Sequence, residues 1–561
     1  MLKIKLGFAI IKVVCHSDPS IPRLGGVGLP ATLSLARRAG VGWKLSSPSA
    51  REGVGGVGAD TSATPSHSLL VRGRHANPPL ALRPSQPKRG IVEIYVLPTM
   101  KKQISFFIIL ASFLVLAGLG CKGLSKEQVA ATRPVVLEYW TVFDDVDALQ
   151  AQIAKYKAER PYLSINLKQL RADELYPRLL EALAEDHGPD IISVRNRWMR
   201  FYQPKLAAMP PSVSDTTVRV EKTTLGTQTI VNTINQILPT ATQIDKEYVQ
   251  AVKSDVVMDN KVYGLPLSLE NMAIYYNKDL LDKAGVPEPP KNWEDFQVAV
   301  KKLTKFDKKT GKILQSGAAL GTGNNIPGFE DLLYILFKQS NIGFVNKKGF
   351  ATFNAGASNP LSGGDNPAVA VMNFYTDFAN SSRDTYTWNE EVDNALDKFV
   401  NGSLAFFFGY SYHYSVIKAR APQLNVEVLP MLQLNPEQPV NAANYWVQTV
   451  LDKSKNKNEA WGLLNFLAHS KTTKDYLDQS GRPSALRAYI AGQLDNTELY
   501  PFVSQVLIAD SWYKGKDYDT AVKALGDMAH EWLLPPPQPG REFQWQQEVL
   551  NRAAAKFNQA Q

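Results

Sequence analysis

Two short segments place aromatic side chains beside hydrogen-bonding ones, each directly after an apolar run. Trp140-Thr141-Val142-Phe143 follows the run at 134–139, and Arg195-Asn196-Arg197-Trp198 follows the run at 190–194. Flat rings can stack on the C–H faces of a polyhydroxylated molecule, while amide and guanidinium groups bond its hydroxyl edges. These segments therefore predict a ligand-binding site with the candidate contacts Trp140, Phe143, Asn196, Arg197 and Trp198. For Trp140, packing in the core is the alternative.

The sequence contains no recognisable motif for binding a metal ion or a cofactor. The seven histidines are scattered, and the spacings HxH, HExxH and CxxC do not occur. The cysteines are Cys15 and Cys121. We therefore expect neither a metal nor a cofactor.

Strands that alternate with helices must position the candidate side chains. Apolar periodicity predicts strands at 134–140, 163–167 and 190–194, with helices between them at 144–160 and 175–183. This order is typical of β-α-β units around a parallel sheet, whose ligands bind outside the carboxyl ends of the strands. Both aromatic segments are therefore expected at one edge of the sheet. Residues 199–260 show no clear period, and loops and short helices are expected there.

Charge and length bound the kind of protein. Residues 1–120 hold 15 basic and 4 acidic residues, which leaves 47 basic and 49 acidic residues from 121 onward. The net charge of +9 for the whole chain thus belongs to its first part, and a nucleic-acid partner is not expected. About 440 residues follow position 120, more than a single core usually supports, so two lobes are expected.

An export signal is predicted in the interior of the chain. Met100-Lys101-Lys102 precedes an uncharged run to Gly120, and Ala117-Gly118-Leu119-Gly120-Cys121 resembles the lipobox of bacterial lipoproteins, with glycine at 118 where leucine is usual. We expect a signal peptide at 100–120, lipidation of Cys121, a tether at 121–133, and a location on the outer face of the cell membrane. An uncleaved membrane anchor is the alternative. Residues 1–99 are expected to be a non-native or disordered extension.

Motifs spread over most of 134–490 point to one family. They are GlyProAspIleIle at 188–192, ValTyrGlyLeuPro and the run to Leu281 at 262–281, and further motifs at 289–296, 399–410, 428–430, 454–467 and 480–486. Together the motifs resemble the family 1 extracellular solute-binding proteins of bacterial ABC transporters, the superfamily that includes the maltose-binding protein. The resemblance implies an α/β, two-lobed periplasmic-binding-protein-like fold of type II, in which each lobe is a sheet flanked by helices and crossing segments form the hinge. Lobe 1 would comprise 134–262 plus 434–498, and lobe 2 would comprise 263–430 plus 499–561.

The resemblance also implies further ligand contacts. Tyr412, with Tyr410 beside it, occupies the position where the family presents an aromatic ring to the ligand. Glu270 matches a cleft-facing acid, with a solvated loop carboxylate as the alternative. Tyr445 and Trp446 lie where the family's chain returns to the first lobe. Arg482 matches a region that borders the cleft, with a salt bridge at a helix end as the alternative.

The implied function is that of a binding protein rather than an enzyme. A lipoprotein of this family, expected to be a monomer, would capture a mono- or oligosaccharide and deliver it to ABC permease subunits powered by a cytoplasmic ATPase. Relatives that bind malto-oligosaccharides carry an acid-arginine pair near 197, and the acid is missing here, so a different sugar is favoured. The same fold could instead bind a polyamine, a metal chelate or a peptide. A glycoside hydrolase would need a second carboxylate opposite Glu270, and the sequence does not place one.

Overall fold

The computed structural model describes residues 108–109, 124–224, 226–355, 366–469 and 471–561. Contacts divide the chain into the units Met1–Ile104 and Ser105–Gln561, and the described residues all lie in the second unit. The predictions for residues 1–99, for lipidation at Cys121 and for all of the signal 100–120 except Ile108 and Ile109 lie outside the described residues.

The strands are numbered in chain order. They are β1 Val135–Thr141, β2 Leu163–Gln169, β3 Ile191–Arg195, β4 Ser212–Thr223, β5 Gly226–Ile237, β6 Val257–Met258, β7 Lys261–Val262, β8 Leu265–Pro266, β9 Glu270–Asn271, β10 Ala273–Asn277, β11 Lys305–Phe306, β12 Ile313–Ala318, β13 Leu404–Gly409, β14 Val426–Pro430, β15 Asn441–Asn444, β16 Trp446–Val450 and β17 Ala509–Asp510.

The helices are numbered in the same way. They are α1 Lys126–Ala131, α2 Val146–Ala158, α3 Ala172–Ala184, α4 Met199–Tyr202, α5 Ala241–Glu247, α6 Gln250–Val256, α7 Lys278–Lys283, α8 Trp293–Leu303, α9 Phe329–Gln339, α10 Pro367–Asp377, α11 Ala395–Val400, α12 Tyr412–Arg420, α13 Lys457–His469, α14 Lys471–Ser480, α15 Arg487–Gln493, α16 Tyr500–Val503, α17 Tyr518–Leu533 and α18 Glu542–Asn558. Short 3-10 turns lie at Asn196–Trp198, Gln203–Lys205 and Val506–Ile508.

A first five-stranded sheet has the order β2-β1-β3-β16-β8. Strand β1 pairs in parallel with β2 and β3, as the β-α-β pattern predicts, and β16 joins antiparallel to β3 and β8. Leu137, Ile191 and Val194 are fully buried in its core, and helix α2 contributes Leu149 to the same core. The parallel strands end at Thr141 and Arg195, so the aromatic segments that follow them share one edge.

A second five-stranded sheet has the order β11-β12-β13-β10-β14 and its own core. Strands β10 and β13 pair antiparallel and are buried at every residue, because their sequences are almost continuous apolar runs. Helices α8, α9 and α10 pack on this sheet, and the C-terminal helices α17 and α18 complete the core. The protein therefore has an α/β fold with two large sheets, each of which has its own hydrophobic core and is packed with helices.

A small three-stranded sheet, β17-β15-β9, is formed where the chain passes between the two larger sheets. Ala443 pairs with Asn271, and Asn441 pairs with Ala509. Leu265, Leu267 and Leu269 pack in the first core, and Met272 onward packs in the second. The crossing therefore falls near Glu270, while the lobe boundaries given above stay predictions.

Two segments differ from the sequence-based prediction. Strands β4 and β5 form a long hairpin in register from Ser212 opposite Ile237, so the prediction of only loops and short helices at 199–260 was wrong there. Strand β5 is exposed on both faces and therefore carries no alternation of apolar and polar residues. In the predicted tether, Ser125 caps the short helix α1. No helix among the described residues is long and apolar enough to cross a membrane.

Candidate functional site

Four half-buried rings meet where the two cores approach one another, and we name them the aromatic cluster: Phe143, Trp198, Tyr412 and Trp446. The Phe143 ring meets the edge of Tyr412 with 4.4 Å between centroids and lies 6.2 Å from Trp446, nearly parallel to it. Trp198 meets Trp446 edge-on at 5.7 Å.

Each ring of the aromatic cluster is held by the end of an element. Phe143 follows β1, Trp198 closes the turn after β3, Trp446 begins β16 and Tyr412 begins α12. Tyr412 packs on the second core, and Trp198 packs on both cores. The sequence prediction that both aromatic segments share one edge of the first sheet is confirmed by these positions.

A buried carboxylate and a guanidinium lie beside the cluster. Glu270 is 2% exposed, and its Oε2 accepts a hydrogen bond from Ser411 Oγ. Its Oε1 lies 4.0 Å from Arg482 Nε and accepts no hydrogen bond of normal geometry from the described residues. Arg482 donates to the carbonyl oxygen of Phe143 at 2.7 Å and lies over the Phe143 ring at 4.6 Å. Burial raises the pKa of Glu270, while Arg482 and Ser411 act in the opposite direction.

Arg197 lies in a buried ionic network rather than on an open surface. Its guanidinium bonds both carboxylate oxygens of Asp331 and lies 3.4 Å from Glu330 Oε1. Tyr410 donates to Asp331 at 2.5 Å, and Trp512 Nε1 donates to Asp331 at 2.7 Å. Arg197 follows a strand of the first sheet, whereas Asp331 lies in the first turn of helix α9 of the second core, so the network joins the two cores.

A groove of about 590 Å³ opens beside Trp198. One wall comes from α3 and α4, and the other comes from the start of α17. Its residues are Ala172, Asp173, Tyr176, Trp198, Phe201, Tyr202, Lys516, Asp517, Tyr518 and Asp519. Of these residues, only Trp198 was predicted from the sequence, although Phe201 and Tyr202 stand close enough to Trp198 in the chain to extend the same aromatic segment. Aromatic rings and carboxylates therefore both line the groove.

The comparison with protein families decides the identity of the chain. The family model of the bacterial extracellular solute-binding proteins matches residues 142–474, more than half of the chain. The chain belongs to this family. The matched range contains every ring of the aromatic cluster and Glu270, whereas Arg482 lies just beyond it.

Individual relatives of this solute-binding protein are distant. A Brucella abortus (strain 2308) protein named as a binding protein is 25% identical over 364 residues, which covers 63% of this chain and 76% of the relative. The galactooligosaccharide-binding protein of Bacillus subtilis (strain 168) is 23% identical and covers 43% of this chain and 53% of the relative. The solved cyclic alpha-maltosyl-1,6-maltose binding protein of Arthrobacter globiformis aligns with a TM-score of 0.57 at 17% identity, over 76% of this chain and 99% of that one. This likeness shows the fold, and the predicted two-lobed fold of type II is confirmed.

Three predicted contacts of this solute-binding protein lie in buried surroundings. Asn196 Nδ2 donates to Asp255 at 3.2 Å, and Tyr445 OH donates to the same carboxylate at 2.7 Å. Trp140 is 8% exposed and packs in the first core, with Lys168 Nζ 5.2 Å above its ring. Ligand contact by these three residues, by Arg197 and Tyr410, and by every other candidate stays a prediction. The described residues contain no group of three or more metal-ligating side chains.

Proposed function

We propose that this solute-binding protein is the carbohydrate receptor of an ABC importer. It is exported, tethered to the outer face of the cell membrane through lipid on Cys121, and delivers its ligand to permease subunits that a cytoplasmic ATPase powers. Membership of the family supports the transport role. The names of the Bacillus subtilis and Arthrobacter globiformis proteins support a saccharide as the class of ligand.

The observation that carries the proposal is the acceptor atom Oε1 of Glu270 beside four rings. A buried carboxylate oxygen without a hydrogen bond is costly, so a ligand that donates to it gains affinity. A sugar hydroxyl can make this bond while the C–H face of the same sugar stacks on Tyr412, Trp446 or Phe143. A polyamine site would instead combine several converging acids, whereas Arg482 lies next to Glu270.

The groove beside Trp198 supports an oligosaccharide over a single sugar. Tyr176, Phe201 and Trp198 contribute rings to its walls, and Asp517 and Asp519 add hydrogen-bond acceptors. A ligand held by residues of both cores favours the closed arrangement through its contacts with each, and a permease can recognise that arrangement.

Thermal unfolding of the purified protein tests the proposal against a panel of mono- and oligosaccharides, sugar phosphates and polyamines. A true ligand at 100 times its dissociation constant should stabilise the protein by about 2.7 kcal/mol. We expect a neutral oligosaccharide to give the largest shift. A shift with polyamines alone, or with no saccharide of the panel, would contradict a carbohydrate receptor.

A further inference from the structure

Strand β5 forms the outer edge of the hairpin, and β4 lies between it and the rest of the protein. On the inner side, Val218 N donates to Glu159 O at 2.8 Å and Ser214 N donates to Asn458 Oδ1 at 2.8 Å. From Thr227 to Ile237, the backbone of β5 has β4 as its partner and makes no other backbone hydrogen bond within the described residues. An exposed strand edge of this length is a template for another strand.

The hydrogen-bond pattern tells which residues of β5 point outward. In an antiparallel pair, alternate residues bond the neighbouring strand and the residues between them bond the other side. The even-numbered residues Val218 and Ser214 of β4 bond the rest of the protein, whereas Pro211, an odd-numbered residue just before β4, accepts from Leu238 N. The odd-numbered residues of β4 therefore exchange hydrogen bonds with the even-numbered residues of β5. The outward N–H and C=O groups of β5 therefore belong to its odd-numbered residues, Thr227, Thr229, Val231, Thr233, Asn235 and Ile237.

This edge lacks the features that normally prevent strand addition. Residues 226–237 contain no charged residue and no proline, and the β4–β5 register runs without a bulge. Exposed apolar side chains stand along it, with Ile230 at 37%, Ile234 at 52% and Ile237 at 69% exposure. The neighbouring strand β4, in contrast, carries Asp215, Arg219, Glu221 and Lys222.

The even-numbered residues of β5 from 228 to 236 read the same in both directions, so two antiparallel copies of the strand can place identical residues opposite one another. About Asn232 as centre, Gln228 stands opposite Gln236 and Ile230 opposite Ile234, while Asn232 meets its own copy. We propose that β5 pairs antiparallel with β5 of a second copy, with a two-fold axis at Asn232. The outward residues then match as well, because Val231 meets Thr233 and each such pair exchanges two hydrogen bonds.

A second copy suits this edge better than a strand of different composition. A two-fold interface needs the same patch on both partners, and the palindromic order of glutamine, isoleucine and asparagine supplies it. The uncharged strand brings no like charges together, and Ile230 and Ile234 bury one another across the axis.

The two proteins then lie at opposite edges of a four-stranded sheet in the order β4-β5-β5-β4. No residue of the aromatic cluster belongs to the hairpin, so the dimer leaves that cluster out of the interface. This proposal replaces the monomer expected from the family resemblance.

A charge swap at the axis tests the pairing. Sedimentation of the purified protein over a range of concentrations should show a monomer–dimer equilibrium. Asn232→Lys and Asn232→Asp each place two like charges opposite one another, so each variant alone should dissociate about tenfold or more readily. An equimolar mixture of the two variants should regain the dimer, because lysine then faces aspartate. The matched control is Asn435→Lys, the same exchange at an exposed asparagine outside the hairpin, which should leave the dimer unchanged.

The outcomes separate clearly. Circular dichroism and thermal unfolding check that each variant stays folded. A monomer at every concentration, or a dimer that both Asn232 variants leave intact, would overturn the proposal. If the dimer is lost in each variant and recovered in their mixture, Asn232 lies on the two-fold axis. Only a second copy of the chain would place the opposite charge against the same position. Saccharide binding by the variants should be unchanged, so failure of the dimer does not touch the proposed receptor function.

Discussion

The carboxyl of Glu270 is held where its charged form is disfavoured. Its pKa is raised above the ordinary value of 4.5, chiefly by burial. A group with a higher pKa in the folded than in the unfolded state binds its proton more tightly when folded. The stability that Glu270 contributes is therefore present below pH 4.5 and is lost as the pH rises through the raised pKa.

Glu270→Gln should remove this pH dependence. The amide keeps an acceptor for Ser411 Oγ but does not titrate. We expect the free energy of unfolding of the native protein, relative to that of the variant, to decrease as the pH rises from about 4 to about 7. Urea unfolding of both proteins across this range measures the difference. A difference that is constant with pH, or that grows toward neutral pH, would contradict the assignment.

Tyr412 is the ring on which the proposed stacking depends most directly, because it meets Phe143 from the opposite core. Tyr412→Ala should weaken binding of the best saccharide about tenfold, while the unfolding free energy of the unliganded protein changes by about 1 kcal/mol or less. Calorimetric titration and thermal unfolding measure the two effects.

Tyr414→Ala is the matched control for Tyr412. Tyr414 lies on the same helix, is half-buried against the second core and contacts Glu498 at 3.4 Å. Saccharide affinity should survive this change. A large loss of stability in Tyr412→Ala with unchanged affinity would assign that ring to the core instead.

Residue types and neighbours along the chain pointed to two rings of the aromatic cluster, but not to the partners of the polar candidates. Phe143 and Trp198 were singled out because they closely follow predicted strands, and Tyr412 and Trp446 were singled out through the resemblance. The bonds between Arg197 and Asp331 could not be predicted, because the two residues lie far apart in the chain. Tyr176 and Tyr518 gave no signal, since they look like ordinary positions of amphipathic helices.

At the scale of elements, the pair Arg197–Asp331 fastens the end of β3 to the first turn of α9. Both side chains are fully buried. Asp331→Asn should destabilise the protein by about 3–5 kcal/mol, because it leaves the buried guanidinium with Glu330, 3.4 Å away, as its remaining charged partner. Urea unfolding measures the loss.

An exposed pair provides the control for Asp331→Asn. Lys301 and Asp384 form an ion pair with side-chain exposures of 40% and 77%. Asp384→Asn should change the unfolding free energy by about 1 kcal/mol or less. If the two substitutions cost the same, the buried network does not hold the two cores together.

The predictability of the elements follows from how they are buried. Strands β1, β2 and β3 of the first sheet were predicted because apolar residues recur along each of them. The hairpin β4–β5 escaped because its side chains face water on both sides, and its many threonines and asparagines look like a loop. Its pairing can be recognised only once the register is known.

At the scale of the whole molecule, length predicted two lobes, and the charge balance argued against a nucleic-acid partner. The order of the motifs gave the family resemblance. A chain that crosses between its lobes at Glu270 and returns at β15 cannot be derived from periodicity alone, because local patterns do not reveal which sheet a strand joins. The resemblance implied the two-lobed fold, which the matching family and fold confirm, while the lobe boundaries stay predictions.

Attachment to the membrane completes the proposed receptor, and the two cysteines of the chain make it testable. Thiol acylation needs Cys121, which stands directly after the predicted signal, whereas Cys15 lies far upstream of it. Cells that express the protein and take up a labelled fatty acid should incorporate the label into the native protein and into Cys15→Ser but not into Cys121→Ser. The mass of the labelled protein should match a chain that begins at Cys121. An unlabelled protein that keeps residues 100–120 and stays in the membrane fraction would instead establish the uncleaved anchor, because the apolar run alone would then hold it.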